Sequence, residues 1–160
     1  MQNRTVSLKK TSETRMRHHL AILYRTYVDA ILVGDKTIEC RLNRMGSIPQ
    51  GLVEPGDLIW FKESNGPVRA VAAARIVRRF EGLTPERVDW LRRRFNGGIG
   101  ASASFWRRHR DARAGVLIWL DNVCALEPFW VRKRDRRAWV VLAAPPVPGG
   151  PIVSSPNHLA

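Results

Sequence analysis

The feature that most restricts the fold of this chain is a stop followed by a change of period. Val28, Ile31 and Leu32 fall on one face of a helix, and Gly34 stands where a helix end takes a left-handed residue. From Thr37 to Asn43 the pattern becomes alternation: Ile38, Cys40 and Leu42 on one side, Thr37, Glu39, Arg41 and Asn43 on the other. A short helix must therefore hand over to a strand within a few residues, placing Lys36 at the mouth of that strand. Glu39 and Arg41, two residues apart, project from one face of it.

The remaining punctuation extends this pattern. The apolar run from His19 to Tyr24 predicts a buried strand, and Thr26 is placed to cap the helix that follows. Glu54-Pro55-Gly56-Asp57 reads as a type II turn into a strand at 58–62, and Asn65-Gly66 as a hairpin turn into a long strand from Val68 to about Arg78. Thr84-Pro85 opens a helix reaching about Phe95, with Val88, Leu91 and Phe95 toward the core. A Gly/Ser-rich loop at 96–104, a helix at 105–112 and strands at 116–121 and 138–142 complete the order β-α-β-β-β-α-α-β-β. That order predicts an α+β fold, a small mixed β-barrel of five or six strands with helices packed at its ends. Residues 1–17, polar and basic without period, are expected to form a flexible arm. Residues 143–160, with five prolines and two glycines, are expected to be a disordered tail, leaving 18–142 as the folded domain.

Charge indicates the kind of partner. The 160 residues carry 27 Lys plus Arg against 14 Asp plus Glu, a formal net charge of +13, and only five of the cations are lysines. Arginine presents a planar fork that matches phosphate and stacks on rings, so this bias fits a nucleic-acid binder better than a background of basic composition. Two cysteines, Cys40 and Cys124, exclude a disulfide framework and a four-thiolate zinc site. His18-His19 has no further ligand at metal-binding spacing, so no metal or cofactor is expected. Without an apolar run of about 18 residues or a signal-like leader, the expected location is cytoplasmic, away from membranes.

Lys36, Glu39 and Arg41 make a cation, carboxylate, cation cluster on one strand. The carboxylate could accept from the exocyclic amine of a base, and the arginine could pair with phosphate or a base edge. The same three residues would equally serve as a solvated surface pair contributing under about 1 kcal/mol. Val28 to Arg41 resembles the signature of the ASCH domain, a short helix followed by Gly-x-Lys-x-x-Glu-x-Arg entering a strand. Pro55-Gly56-Asp57-Leu58-Ile59-Trp60-Phe61 is similar to that family's Gly-Asp turn before its next strand. The resemblance spans about His19 to Leu142. It implies a PUA-like barrel and a pocket between barrel and helices for a nucleotide or single-stranded RNA.

Some ASCH proteins deacylate acetylated cytidine, and others are linked to RNA cleavage. If this chain were such a hydrolase, a ribonuclease or nucleoside amidohydrolase, Lys36 and Glu39 would be its catalytic residues. The amidohydrolase pattern, however, has a threonine three residues after the lysine, and here Glu39 stands there. Thr37 is one residue after the lysine, and Arg41 beside Glu39 would weaken that carboxylate as a base.

Around the motif, Tyr24 and Arg25 are expected at the rim of the same pocket. In Phe105-Trp106-Arg107-Arg108-His109-Arg110, aromatic residues among cations suit stacking on bases, which adds Trp106, Arg107 and His109 to the nucleic-acid-binding set of Lys36, Thr37, Glu39 and Arg41. The alternative is that Phe105 and Trp106 anchor a short helix. Arg87, Trp90 and Arg94 form a second aromatic-basic stripe, where partial burial of Trp90 is expected ahead of stacking on a base, and Arg132 to Arg137 is either a phosphate-tracking strip or a solvated loop. The leading function is recognition of RNA or a nucleotide, with a small hydrolase and a protein-interaction module as rivals.

Overall fold

The computed structural model of the chain describes residues 15–45 and 53–156. Its elements follow the expected order: β1 (His18–Leu23), α1 (Arg25–Val33), β2 (Ile38–Asn43), β3 (Leu58–Glu63), β4 (Val68–Glu81), α2 (Pro85–Ile99), α3 (Ala103–Arg108), β5 (Ala114–Phe129) and β6 (Trp139–Leu142). The six strands form one sheet in the order β2-β5-β4-β3-β1-β6, mixed because β1 runs parallel to β3 while the other neighbours are antiparallel. In a flat sheet, strands four places apart would lie about 19 Å from one another. Yet an Nη of Arg41 on β2 donates to the carbonyl of Ile22 on β1 at 3.2 Å. The sheet is therefore curled into a half-barrel, whose open seam lies between its edge strands β2 and β6, with the end of β1 reached across it.

The alternation on each strand divides the core, and beside the two clusters that position β2 a third gathers Leu20, Val68, Val131, Val140 and Leu142. Inside the curl, Ala21, Phe61, Ala70, Ala72, Val116 and Ile118 close around Val28 and Ile31 of α1, which plugs the barrel. Outside it, Ile38, Cys40 and Leu42 of β2 meet Val88, Leu91, Phe95 and Ile99 of α2 and Trp106 of α3. The small alanines on β4 let α1 approach closely, whereas the large residues on β2 fill the space beneath α2.

Several boundaries differ from the sequence reading. Helix α1 begins at Arg25 with Tyr24 at its N-cap and no side-chain capping bond, so Thr26 lies inside the helix instead of capping it. Its end is as read, with Gly34 in the left-handed region at φ 85°. Helix α2 continues one turn past Phe95 to Ile99, shortening the expected loop. Packing permits this extension. A Cβ on Gly98 would sit 2.8 Å from Cδ1 of Ile38 and 2.9 Å from Oγ1 of Thr37, so only glycine lets this turn lie against β2. The Thr84 cap is present, its side chain accepting from the Arg87 N–H. Strand β5 runs from residue 114 to 129, far beyond 116–121, because it pairs along β4 on both sides of several irregularities.

The tail also differs over its described part, 143–156. The Ala143 N–H donates to Val153 at 2.9 Å, Ser155 to Val141 at 2.8 Å and Gly149 to Trp130 at 2.7 Å, while Ile152 packs on Val140 and Leu142. Proline prevents a regular ladder, but an edge strand needs only isolated bridges to bind such a segment. The expected flexible arm lies mostly outside the described residues. Among the described residues no helix is long and apolar enough to cross a membrane.

Candidate functional site

The left-handed cap at Gly34 folds the chain back on α1, so that Asp35 and Lys36 both donate their N–H to the Ala30 carbonyl, at 2.9 and 3.0 Å. This turn aims Lys36 into the seam. Its Nζ donates to the carbonyls of Ile38 and Ile99, each at 2.8 Å, and stands 3.4 Å from Glu39 Oε2 and 5.5 Å from the centre of the Tyr27 ring. On the other side of the carboxylate, Arg41 Nε donates to Glu39 Oε1 at 2.7 Å, and the guanidinium lies 5.4 Å from the Trp139 ring centre.

Burial decides between a solvated pair and a built cluster. Glu39 is 1% exposed and Lys36 4%. Strand β2 is thus covered on both faces: α2 and α3 take its apolar side, while the curled sheet and α1 enclose its charged side. Taking these charges from water costs several kcal/mol per ion, and only close pairing offsets that. A lone carboxylate at this position would not be tolerated.

Beside the trio opens a cavity of about 730 Å³. Tyr24 and Tyr27 form one wall, and Phe105 of α3 with its C-cap residue His109 form another. The last two rings are 4.3 Å apart, and His109 Nδ1 lies 2.8 Å from the Phe105 carbonyl. The rim carries Lys62, Arg108, Lys133, Arg136 and Arg137, with Asp135 among them. Asp135 pairs with Lys133 and Arg137, at 2.9 and 2.8 Å, and the Arg137 hydrogen bond, opposed by a little burial and aided by Lys133, holds its carboxyl well below the ordinary range. Arg108 and Arg136 form no ion pair among the described residues. Burial, followed by the charge of Lys133, lowers Lys62 below the usual lysine value despite the nearby Glu63.

Of the residues singled out in the sequence, Lys36, Glu39, Arg41, Tyr24 and His109 line this one cavity. Arg25 does not: it is exposed and turned to Asp29 and Glu63, each at 4.0 Å. Thr37 is exposed beside Gly98, outside the cavity lining. Trp106 is buried between α2 and α3, donating to Asn96 Oδ1 at 3.0 Å, so of the adjacent aromatic pair it is Phe105 that faces the cavity. Arg107 lines a separate groove between those helices. Tyr27, Arg108 and Lys62 also line the cavity and were outside the nucleic-acid-binding set expected from the sequence. Tyr24 and Tyr27, spaced i, i+3, and Phe105 and His109, spaced i, i+4, carried the helical signal for a shared wall. Among the described residues no group of His, Cys, Asp and Glu is arranged to hold a metal.

No family model and no curated protein matches the sequence. The fold does match solved structures. A mutant form of the ASCH protein from Zymomonas mobilis superimposes with a TM-score of 0.57 at 19% identity, covering 70% of this chain and 74% of that one. A further crystal structure of ASCH from the same organism gives 0.55 at 18% identity, covering 69% of this chain and 71% of that one.

Proposed function

From the premise that this chain has the ASCH fold, we propose that it binds single-stranded RNA by enclosing one nucleotide in the cavity at the barrel seam. The observation that carries this reading is the buried pair of Lys36 and Glu39, with the partly buried Arg41 beside it, facing a cavity lined by aromatic rings. A base needs flat apolar faces and a few fixed polar groups at its edge. Tyr27 on one side and Phe105 with His109 on the other supply the faces. Each Glu39 oxygen retains acceptor capacity for an exocyclic amine after its contact with a cation, and the Arg41 fork has donors left for a base carbonyl. Arg108 and Arg136 suit the flanking phosphates.

The geometry favours binding over hydrolysis. A lysine that attacks or abstracts a proton needs a free lone pair. Lys36 instead directs its nitrogen at three oxygens, those of Ile38, Ile99 and Glu39. Glu39, gripped by two cations, is a better orienting group than a base.

The test is a fluorescence titration of a labelled single-stranded RNA trinucleotide with wild type, Arg41→Ala and Phe105→Ala. Phe105→Ala is expected to weaken binding about tenfold, within the 1–3 kcal/mol typical of one stacked base. Arg41→Ala should weaken it at least as much. Wild-type affinity in both folded variants removes the reading. Turnover of RNA or acetylcytidine that disappears in Lys36→Met would replace it with catalysis.

A further inference from the structure

We infer that a second nucleic-acid contact lies across strand β2 from the cavity, in a groove that holds the phosphodiester backbone of the same single strand. The groove, about 370 Å³, is lined by Ile38, Arg78, Arg94, Phe95, Gly97 and Trp119, among others, and no carboxylate among the described residues lines it. Its two rings, Phe95 and Trp119, meet edge to face at 5.6 Å, and Trp90, outside the groove lining, extends the row 5.7 Å from Phe95. Each ring carries an arginine: Arg87 at 4.7 Å from Trp90, Arg94 at 5.0 Å from Phe95 and Arg78 at 5.5 Å from Trp119.

The pairing pattern on α2 separates this face from ordinary surface charge. Arg92 and Arg93 both clasp Asp89, at 2.7 and 2.9 Å. Arg78, Arg87 and Arg94 make no ion pair among the described residues and lie on rings instead. A guanidinium held over a ring and outside any ion pair keeps N–H groups for an anion and loses less side-chain freedom on binding it. The groove floor has a second peculiarity. Gly98 is explained by its contact with Ile38, but a Cβ on Gly97 would meet nothing within 4 Å. A glycine inside a helix costs about 1 kcal/mol relative to alanine, and here it leaves the floor bare for a ligand to approach.

Lys36 and Ile38, which line the two concavities, are two residues apart, so their Cα atoms are separated by at most about 7 Å. A strand whose nucleotide occupies the cavity can pass over the end of α2 into the groove. The choice of nucleic acid over an acidic peptide rests on the reading of the cavity as a nucleotide site.

The experiment compares a single-stranded RNA 12-mer with a trinucleotide, over a salt series, for wild type, Arg78→Ala/Arg94→Ala, Gly97→Glu, Gly97→Gln and Phe105→Ala. For the 12-mer, losing two phosphate contacts should reduce the slope of log K against log salt by about 1.4, at roughly 0.7 per contact. Trinucleotide binding should be unchanged. Gly97→Glu should weaken the 12-mer several-fold and Gly97→Gln much less, because only the former opposes phosphate. Wild-type affinity and slope in the double variant and in Gly97→Glu overturn the inference even if Phe105→Ala weakens both oligomers. If Phe105→Ala changes neither oligomer while the arginine variants weaken the 12-mer, the cavity reading falls and the groove stands. Equal competition by poly-glutamate would overturn the assignment to nucleic acid.

Discussion

Trp139 Nε1 donates to Nδ1 of the fully buried His19 at 3.2 Å, so this ring nitrogen is the acceptor and His19 carries its proton on Nε2. That Nε2 lies 2.9 Å from Asp57 Oδ2. The indole held in this way is the one on which Arg41 rests, so a buried histidine outside the cavity fixes part of the site floor. Trp139→Phe should keep the ring face but leave Nδ1 of His19 without a donor, lowering stability by about 1–3 kcal/mol. Its trinucleotide affinity should stay near wild type, while Trp139→Leu should lose affinity as well. Urea midpoints and titrations of the two variants would check both.

Asp57 sets an acid limit on the fold. Burial pushes its carboxyl up, but hydrogen bonds from the His19 side chain and the backbone N–H groups of Glu54 and Arg17 outweigh this and hold it below its ordinary value of 3.8. The folded state then binds the proton less readily than the unfolded chain. The stabilisation is fully present above the unfolded value and is lost as pH falls through the folded one. Stability should decline from about pH 4 downward, and Asp57→Asn should flatten that limb in urea unfolding across the acid range.

Glu39 holds two cations together. Glu39→Gln should lower stability by about 3 kcal/mol, since the buried Lys36 and the partly buried Arg41 would lose their counter-charge. Lys36→Met/Glu39→Gln should lose less than the sum of the single variants, because both remove the same contact. A double-mutant cycle by chemical denaturation gives the coupling directly.

Neighbouring glycines should respond with opposite signs. Gly97→Ala adds a methyl into open space and should stabilise α2 by about 0.5–1 kcal/mol. Gly98→Ala drives a methyl into Ile38 and Thr37 and should destabilise by about 1–3 kcal/mol. Thermal melts of the two variants check the contrast.

The two thiols should differ in reactivity. Burial, and next the charge of Glu39, push Cys40 up to about 12 despite Lys36 and Arg41, whereas Cys124 is exposed. Near neutral pH a disulfide reagent should modify Cys124 in the native protein and reach Cys40 only on unfolding. Counting released chromophore with and without urea distinguishes the two.

The helix, its glycine stop and the alternating strand from Val28 to Asn43 were legible because they depend on nearest neighbours, as was the common face of Glu39 and Arg41. The Thr84 cap and the turn at Asn65-Gly66 were legible for the same reason. Other features were not local. Whether the charged face of β2 meets water depends on β1, which reaches it only because four intervening strand pairings curl the sheet. The choice between Phe105 and Trp106 as the cavity wall depends on which side of α3 lies against α2, and two adjacent aromatics offer no sequence signal for that. The edge that receives residues 143–156 exists only once β6 has paired with β1. Periodicity and capping therefore determined the elements and the direction of their side chains. Only the closure of distant strands decided that Lys36 and Glu39 would be buried with Arg41 packed beside them, because burial is a property of what is brought close in space.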